Sequence, residues 1–352
     1  MYESIEQLNL NDPRKRQQWE NFLKSLGISN FSDKEINGID LTLGMYDGNE
    51  LVGTGSAAGN VLKFIGVCNK GVTQGARFNR IISELTSRLY QNQIFHILVF
   101  TKKKYSQSFQ HLGFTELAST DSAAFLETGS PNITDYLDEL PKVVDQEHQS
   151  IAGIVMNANP FTLGHRYLIE RAASENDWVY VFVVNTDASL FSTDERVALV
   201  KQGTADLKNV MVVSGGDYMV SYATFPAYFL PDSVTNIAYQ TTMDARIFRD
   251  RIAPALHIGT RYIGTEPYSN TTSQYNKALL RELPPKVKVR EIKRLKTAAG
   301  QYITATQVRK IIQEGDVTRI KELLPKTTYQ FIEDHLDMLE LRIKKGMNID
   351  GN

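Results

Sequence analysis

The stretch Ile151-Ala-Gly-Ile-Val-Met-Asn-Ala-Asn-Pro-Phe-Thr-Leu-Gly-His-Arg-Tyr-Leu-Ile-Glu170 constrains this chain more than any other. It opens on an apolar run, Ile151 to Met156, with the length and β-branched content of a buried strand. A polar turn follows from Asn157 to Pro160. From Arg166 the spacing of Tyr167, Leu168, Ile169 and Ala172 becomes helical. A strand therefore delivers Gly164 and His165 to the mouth of a helix. Unpaired backbone N–H groups and the positive end of the helix dipole meet there, and doubly wound α/β folds place anionic ligands at such a mouth.

The alternation of strand and helix patterns continues downstream. Strands are expected over 178–184, 210–213, 235–239, 260–264 and 287–292. Helices are expected over 164–175, 192–202, 244–252, 306–314, 318–324 and 327–345. The second of these carries Ser192 or Thr193 as cap, with Asp194 and Glu195 in its first turn. Repeated βα units imply a largely parallel sheet with helices on both faces.

Upstream the pattern differs. Residues 1–37 are polar, with helical spacing in Trp19, Phe22 and Leu23 and a loop signal from Asn30. Residues 41–46 and 51–56 read as a hairpin about Asp47-Gly48-Asn49. A strand over 61–67, a helix over 76–91, a strand over 94–100, a short helix over 105–112 and a turn into a strand at Gly113 complete the segment. Residues 131–150 are polar, hold two prolines and read as a linker with a short helix over 133–140. The expected division is a domain over 1–130, a linker over 131–150 and a second domain over 151–352, in keeping with a length of 352 residues. A net charge of −1 argues against a general nucleic-acid or membrane-surface binder. The single cysteine, Cys68, excludes an intramolecular disulfide. With no long apolar stretch and no signal-like N-terminus, a cytoplasmic protein is expected.

A second motif, Ile303-Thr-Ala-Thr-Gln-Val-Arg309, runs a threonine-rich cap into a helix. Thr304 and Thr306 are suited to cap that helix while offering hydroxyls and N–H groups to an anion. Arg309 lies three residues beyond Thr306, on the same helix face. Gly164 admits close backbone approach, and His165 can donate a hydrogen bond beside the Thr162 hydroxyl. Each residue taken alone also fits a plain cap or a surface side chain. The basic run Lys286, Lys288, Arg290, Lys293, Arg294 and Lys296 reads either as the solvated face of a strand or as an aid to holding pyrophosphate.

The two motifs in this order resemble the HxGH and ISSTxxR signatures of the nucleotidyltransferase superfamily, with Thr162 in place of the first histidine. The resemblance implies an ATP site. Thr162 and His165 would serve the α-phosphate, Thr304, Thr306 and Arg309 would reach the β- and γ-phosphates, and Asn157, Asn159, Pro160, Phe161 and Gly164 would surround the nucleotide. Arg196 resembles a basic residue that this superfamily keeps on its second helix. Residues 35–130, ending in Phe109-x-x-Leu-Gly-Phe114, are similar to the GNAT-type N-acetyltransferase fold. The aligned acyl-CoA loop, Gln74 to Asn79, has Arg77 and Asn79 where that family has small residues, which should hinder backbone approach to a pyrophosphate.

The combination of both domains resembles the citrate lyase ligase family, as does the stretch Tyr262-Ile-Gly-Thr-Glu-Pro-Tyr-Ser-Asn-Thr-Thr-Ser-Gln-Tyr-Asn276. The fold class expected is α/β: a Rossmann-like nucleotidyltransferase domain with a parallel sheet, preceded by an α+β acetyltransferase-like domain. The resemblance implies that ATP and acetate give acetyl-adenylate and pyrophosphate. The acetyl group then passes to the thiol of the phosphoribosyl-dephospho-CoA arm on the acyl carrier subunit of citrate lyase. Mg²⁺ would accompany ATP, and Gly264, Glu266 and Asn276 would contact nucleotide or acceptor. Two other classes stay open: an adenylyltransferase making a dinucleotide-type product, and a module that only senses ATP.

Overall fold

The computed structural model describes residues 3–36, 38–185, 189–219, 233–266, 270–347 and 349–350. The chain forms two compact units, one of residues 1–135 with 225–239 and one of residues 136–224 with 240–352.

The first unit is built on seven strands: β1 (Ser4–Gln7), β2 (Leu41–Asp47), β3 (Glu50–Ala58), β4 (Val61–Val67), β5 (His96–Lys102), β6 (Thr115–Ser119) and β7 (Ala123–Gly129). Their order is β1-β2-β3-β4-β5-β7-β6. Every neighbouring pair is antiparallel except β4 and β5, whose parallel pairing is confined to Val61 with Leu98 and Leu62 with Val99. The helix Ala76–Gln91 lays Ile81, Ile82, Leu85 and Leu89 on this sheet. Gly55 makes that contact possible, because a Cβ there would stand 2.6 Å from Leu85. The helix Pro13–Ser25, capped by Asp12, buries Trp19, whose Nε1 donates to Thr54 Oγ1 at 3.1 Å. Two strands escape the sequence reading. β1 is a four-residue edge strand with one apolar residue, and β7 is held chiefly by its pairing with β5 and β6.

The second unit carries β8 (Ile151–Met156), β9 (Trp178–Val183), β10 (Val210–Ser214), β11 (Ile258–Gly264) and β12 (Lys288–Ile292), all parallel, in the order β10-β9-β8-β11-β12. The winding direction reverses between β8 and β11, and the crevice beyond their carboxyl ends is the ligand position of open α/β sheets. On one face Ala152, Ile154 and Met156 join Val179, Val181 and Val183 in a core shared with Ile169 and Leu199. Val308, Ile312, Ile332 and Leu339 from the C-terminal helices close the same core. On the other face Arg261 stacks over Phe248 at 4.3 Å, beside Gly153.

Several sequence expectations are corrected. Residues 235–239 are not a strand but part of the helix Ser233–Ile247, which continues into a π-helical turn, Phe248–Ile252. Tertiary packing of Met243, Ala245 and Ile247 overrides the β-branched bias of the segment's start. The long C-terminal helix is two helices, Lys326–Asp334 and Leu336–Lys344. They part at His335, whose Nδ1 lies 2.9 Å from Phe331 O while its ring stacks on Phe331. Residues 317–323 are 3₁₀ rather than α-helical. Within residues 131–150 the short helix expected there is present, as Ile133–Glu139, with a 3₁₀ turn, Gln146–His148, after it. Tyr136 Oη donates to Ser214 O at 2.8 Å, and Tyr180 Oη to Pro141 O at 2.7 Å.

Gly203 ends the helix Thr193–Gly203 against the buried ring of Phe161, and a Cβ there would stand 2.6 Å from it. Gly203→Ala should therefore destabilise the protein by about 1–3 kcal/mol through overpacking. A denaturant titration that returns the wild-type midpoint would show that Phe161 can yield.

Candidate active site

The turn after β8 is held by side chains aimed at its backbone. Ala158 adopts a left-handed φ of 50°, the Asn159–Pro160 peptide is cis, and Phe161 is fully buried. Asn159 Oδ1 accepts from Phe191 N at 3.2 Å. Asn157 Oδ1 accepts from Arg196 Nη1 at 2.9 Å. Arg196 is itself completely buried and also donates to the carbonyls of Asn157 (2.9 Å), Val184 (2.7 Å) and Phe191 (3.1 Å) and to Thr193 Oγ1 (2.9 Å). A guanidinium so placed cannot reach a ligand. It ties the end of β8 to the end of β9 and to the Ser192-capped helix. Glu195 closes the capping box with Ser192 and accepts both arms of Arg342, at 2.7 and 2.9 Å.

Thr162 caps the helix Leu163–Glu175 in a reciprocal box with His165. The His165 N–H donates to Thr162 Oγ1 (3.4 Å), and the Thr162 N–H donates back to His165 Nδ1 (3.1 Å). Thr162 Oγ1 lies 3.0 Å from the same ring nitrogen. An Nδ1 that accepts a backbone N–H leaves the proton of the neutral ring on Nε2. Burial, then the charges of Arg294 and Arg309, push this imidazole down to about 4. His165 is therefore a neutral donor at physiological pH, its ring nearly parallel to Phe161. Thr162 spends its hydroxyl on the cap.

The second motif docks on the first. A Cβ at Gly164 would stand 3.3 Å from Ile303 O, so glycine here admits the backbone of the second motif. Thr304 caps the helix Ala305–Glu314 by accepting from Gln307 N at 3.2 Å. Arg309, 5% exposed, hydrogen-bonds through Nη1 to Asn159 O and through Nη2 to Thr306 Oγ1 at 3.1 Å. Its Nε donates to Ile349 O (2.8 Å) and its Nη2 to Asp350 O (3.1 Å). Burial lowers Arg309 to about 10, which leaves it charged at neutral pH. Two helix mouths thus adjoin at the switch point.

Beyond β11, Asn276 Nδ2 donates to Gly264 O at 2.9 Å, and Glu266 pairs with Arg294. Pro267, Tyr268 and Ser269, from the stretch singled out in the sequence, lie outside the described residues. Of the basic run, Lys286, Lys288, Arg290, Lys293 and Lys296 are exposed, and only Arg294 turns inward. In the first unit Arg77 folds back onto Cys68 O and Lys70 O, with Nε donating to Glu3 Oε1 at 2.7 Å. Arg80 binds the other oxygen of Glu3 at 2.7 Å. The second unit's Arg294 was only one of six basic candidates in sequence; its inward turn follows from the fold of Thr265, not from a pattern.

Comparison with known proteins matches residues 151–332 to the citrate lyase ligase C-terminal domain family. The citrate pro-3S-lyase ligase of Escherichia coli K12 is 34% identical over 89% of this chain and 92% of its own. That of Klebsiella pneumoniae is 35% identical over 92% of this chain and 94% of its own. Among solved structures, Thermotoga maritima TmcAL bound with alpha-thio ATP aligns over 54% of this chain and 56% of its own, with 12% identity and a TM-score of 0.39.

Unfolding releases the His165 ring to its ordinary value of 6.5. Below that value the unfolded chain binds the extra proton, so the ring's contribution makes the folded state lose stability as pH falls from 6.5 towards about 4. His165→Asn should flatten this part of a stability–pH curve. NMR of the wild-type ring should show no titration between about pH 5 and 8; a midpoint near 6.5 would contradict the assigned state.

Proposed function

Because the chain belongs to the citrate lyase ligase family, we propose that it activates acetate with ATP and acetylates the prosthetic-group thiol on the acyl carrier subunit of citrate lyase. A carboxylate oxygen of acetate attacks the α-phosphorus, the bond to the β-phosphate oxygen breaks, and pyrophosphate leaves. The carrier thiol then attacks the acetyl carbonyl and releases AMP, its proton passing to solvent. Acetate is ionised at neutral pH, so the first step needs no general base. It needs fixed donors where charge develops.

The observation that carries this reading is His165. Its tautomer is held by the Thr162 N–H, which leaves Nε2–H free to donate, and its low proton affinity keeps the ring from titrating. Such a donor stabilises charge on an α-phosphate oxygen without itself exchanging a proton. The N–H groups of the two adjoining helix mouths supply further positive potential. Arg309 supports both mouths from beneath by holding Asn159 O and Thr306 Oγ1. Among the described residues no group of three acidic, His or Cys side chains is placed to hold a metal. Mg²⁺ carried on ATP would screen phosphate charge, held by phosphate oxygens and water.

The first unit is assigned, within the same proposal, to the CoA-like arm of the carrier. β4 and β5 share only two paired positions, and that splay suits a narrow extended chain. Arg77 and Glu3 fill the loop that would otherwise wrap a pyrophosphate, so recognition would rest on the pantetheine portion.

With ATP, acetate and hydroxylamine the protein should form acetyl hydroxamate, which a dinucleotide-forming adenylyltransferase would not. His165→Asn should cut that rate by about 100- to 1,000-fold; a wild-type rate would remove His165 from the site. Dephospho-CoA should compete with the carrier yet leave acetyl-adenylate formation untouched, and absence of competition would sink the role given to the first unit.

A further inference from the structure

Two arginines bear on His165, and they are differently engaged. All three guanidinium nitrogens of Arg309 meet neutral oxygens: Asn159 O, Thr306 Oγ1, Ile349 O and Asp350 O. Its fork is spent on backbone and cap. Arg294 follows β12 and is held differently. Its backbone N–H donates to Thr265 Oγ1 at 3.2 Å, and its Nε to Thr265 O at 2.6 Å. Its Nη2 pairs with the Glu266 carboxylate, while Nη1 has no partner among the described residues. The side chain is 27% exposed, against 6% for that of Glu266.

Position adds to this. Thr265 directly follows β11, and β11 neighbours β8, so Arg294 and the Thr162–His165 cap stand beyond the carboxyl ends of adjacent strands. Gly264 places no side chain between, since its missing Cβ would meet only Arg294 Cγ, at 4.0 Å. The Arg294 charge also acts on His165 ahead of that of Arg309.

We propose that Arg294 is the guanidinium that meets the β- and γ-phosphates of ATP and the departing pyrophosphate, with Glu266 as its counter-ion before the nucleotide arrives. This rests on the acyl-adenylate reading and names the cation of that same site. When the α-phosphorus bonds to the acetate oxygen, the electron pair of the broken bond goes to the former α,β-bridging oxygen, which leaves as a terminal oxygen on the β-phosphorus of pyrophosphate. A planar fork with one open arm is suited to that growing charge. Glu266 keeps the arginine ordered and neutralised before ATP binds, and a pyrophosphate of higher charge displaces it. Glu266 is on this account a positioning residue.

The test follows acetate-dependent exchange of labelled pyrophosphate into ATP, and calorimetric binding of inorganic pyrophosphate with Mg²⁺, in the full-length protein. Arg294→Met should lose exchange by about 100-fold, raise the KM for pyrophosphate and weaken its direct binding; because it leaves the nearly buried Glu266 carboxylate unpaired, it should also lower the melting temperature. Arg294→Lys should recover part of the binding, because charge returns without the fork. Glu266→Gln should tighten pyrophosphate binding by removing a competitor. Wild-type pyrophosphate binding in both Arg294 variants would overturn the proposal, as would losses in Arg294→Lys that track a lowered melting temperature. If the wild-type protein exchanged no pyrophosphate with acetate, the acyl-adenylate reading would fail, while direct binding would still judge Arg294.

Discussion

The joint between the two motifs is the constraint on which the second unit depends. Gly164 sits against Ile303 O, and Arg309 bonds Asn159 O across 150 residues of sequence. A buried guanidinium is costly unless its N–H groups are satisfied. Arg196 and Arg309 meet that demand with oxygens of the turn, Asn157 O and Asn159 O, and with others outside it. The turn is in this way held by side chains of the chain itself. Each arginine fixes one side of it, Arg196 towards β9 and Arg309 towards the last helices.

This division of labour explains how a threonine can stand in the leading position of the first motif. Thr162 holds the ring of His165 through its backbone N–H and its hydroxyl, an arrangement a short polar side chain makes readily at a helix cap. The histidine then presents one defined nitrogen. Charge near it comes from arginines that differ in what they are free to touch, so position in the motif and role in the site need not coincide.

Much of the architecture was legible from patterns. The helix Ala76–Gln91 and the cap at Ser192 follow from local apolar spacing and capping chemistry, which survive in any tertiary setting. The strand expected at 235–239 failed because β-branched residues begin a helix whose later turns are buried. The unbroken helix expected to 345 failed because His335 leaves helical geometry, at φ −126° and ψ 20°, a break invisible to periodicity. Within the site, spacing identified both motifs but not the direction of their side chains. Arg309 faces a carbonyl cage and Arg294 faces inward for reasons that lie in Thr265, Glu266 and Asn159, all distant in sequence from at least one partner.

The order of the strands has a consequence for how the molecule is made. β8 is central and is synthesised before its neighbour β11, while the helices that close its core come from beyond residue 300. Until those segments leave the ribosome, Ala152, Ile154 and Met156 keep part of their apolar surface uncovered, and Asn159 O lacks its arginine. Contacts of such long range make folding slow and leave strand edges open meanwhile. The nascent second unit therefore keeps these apolar side chains partly uncovered until the segments beyond residue 300 have joined it.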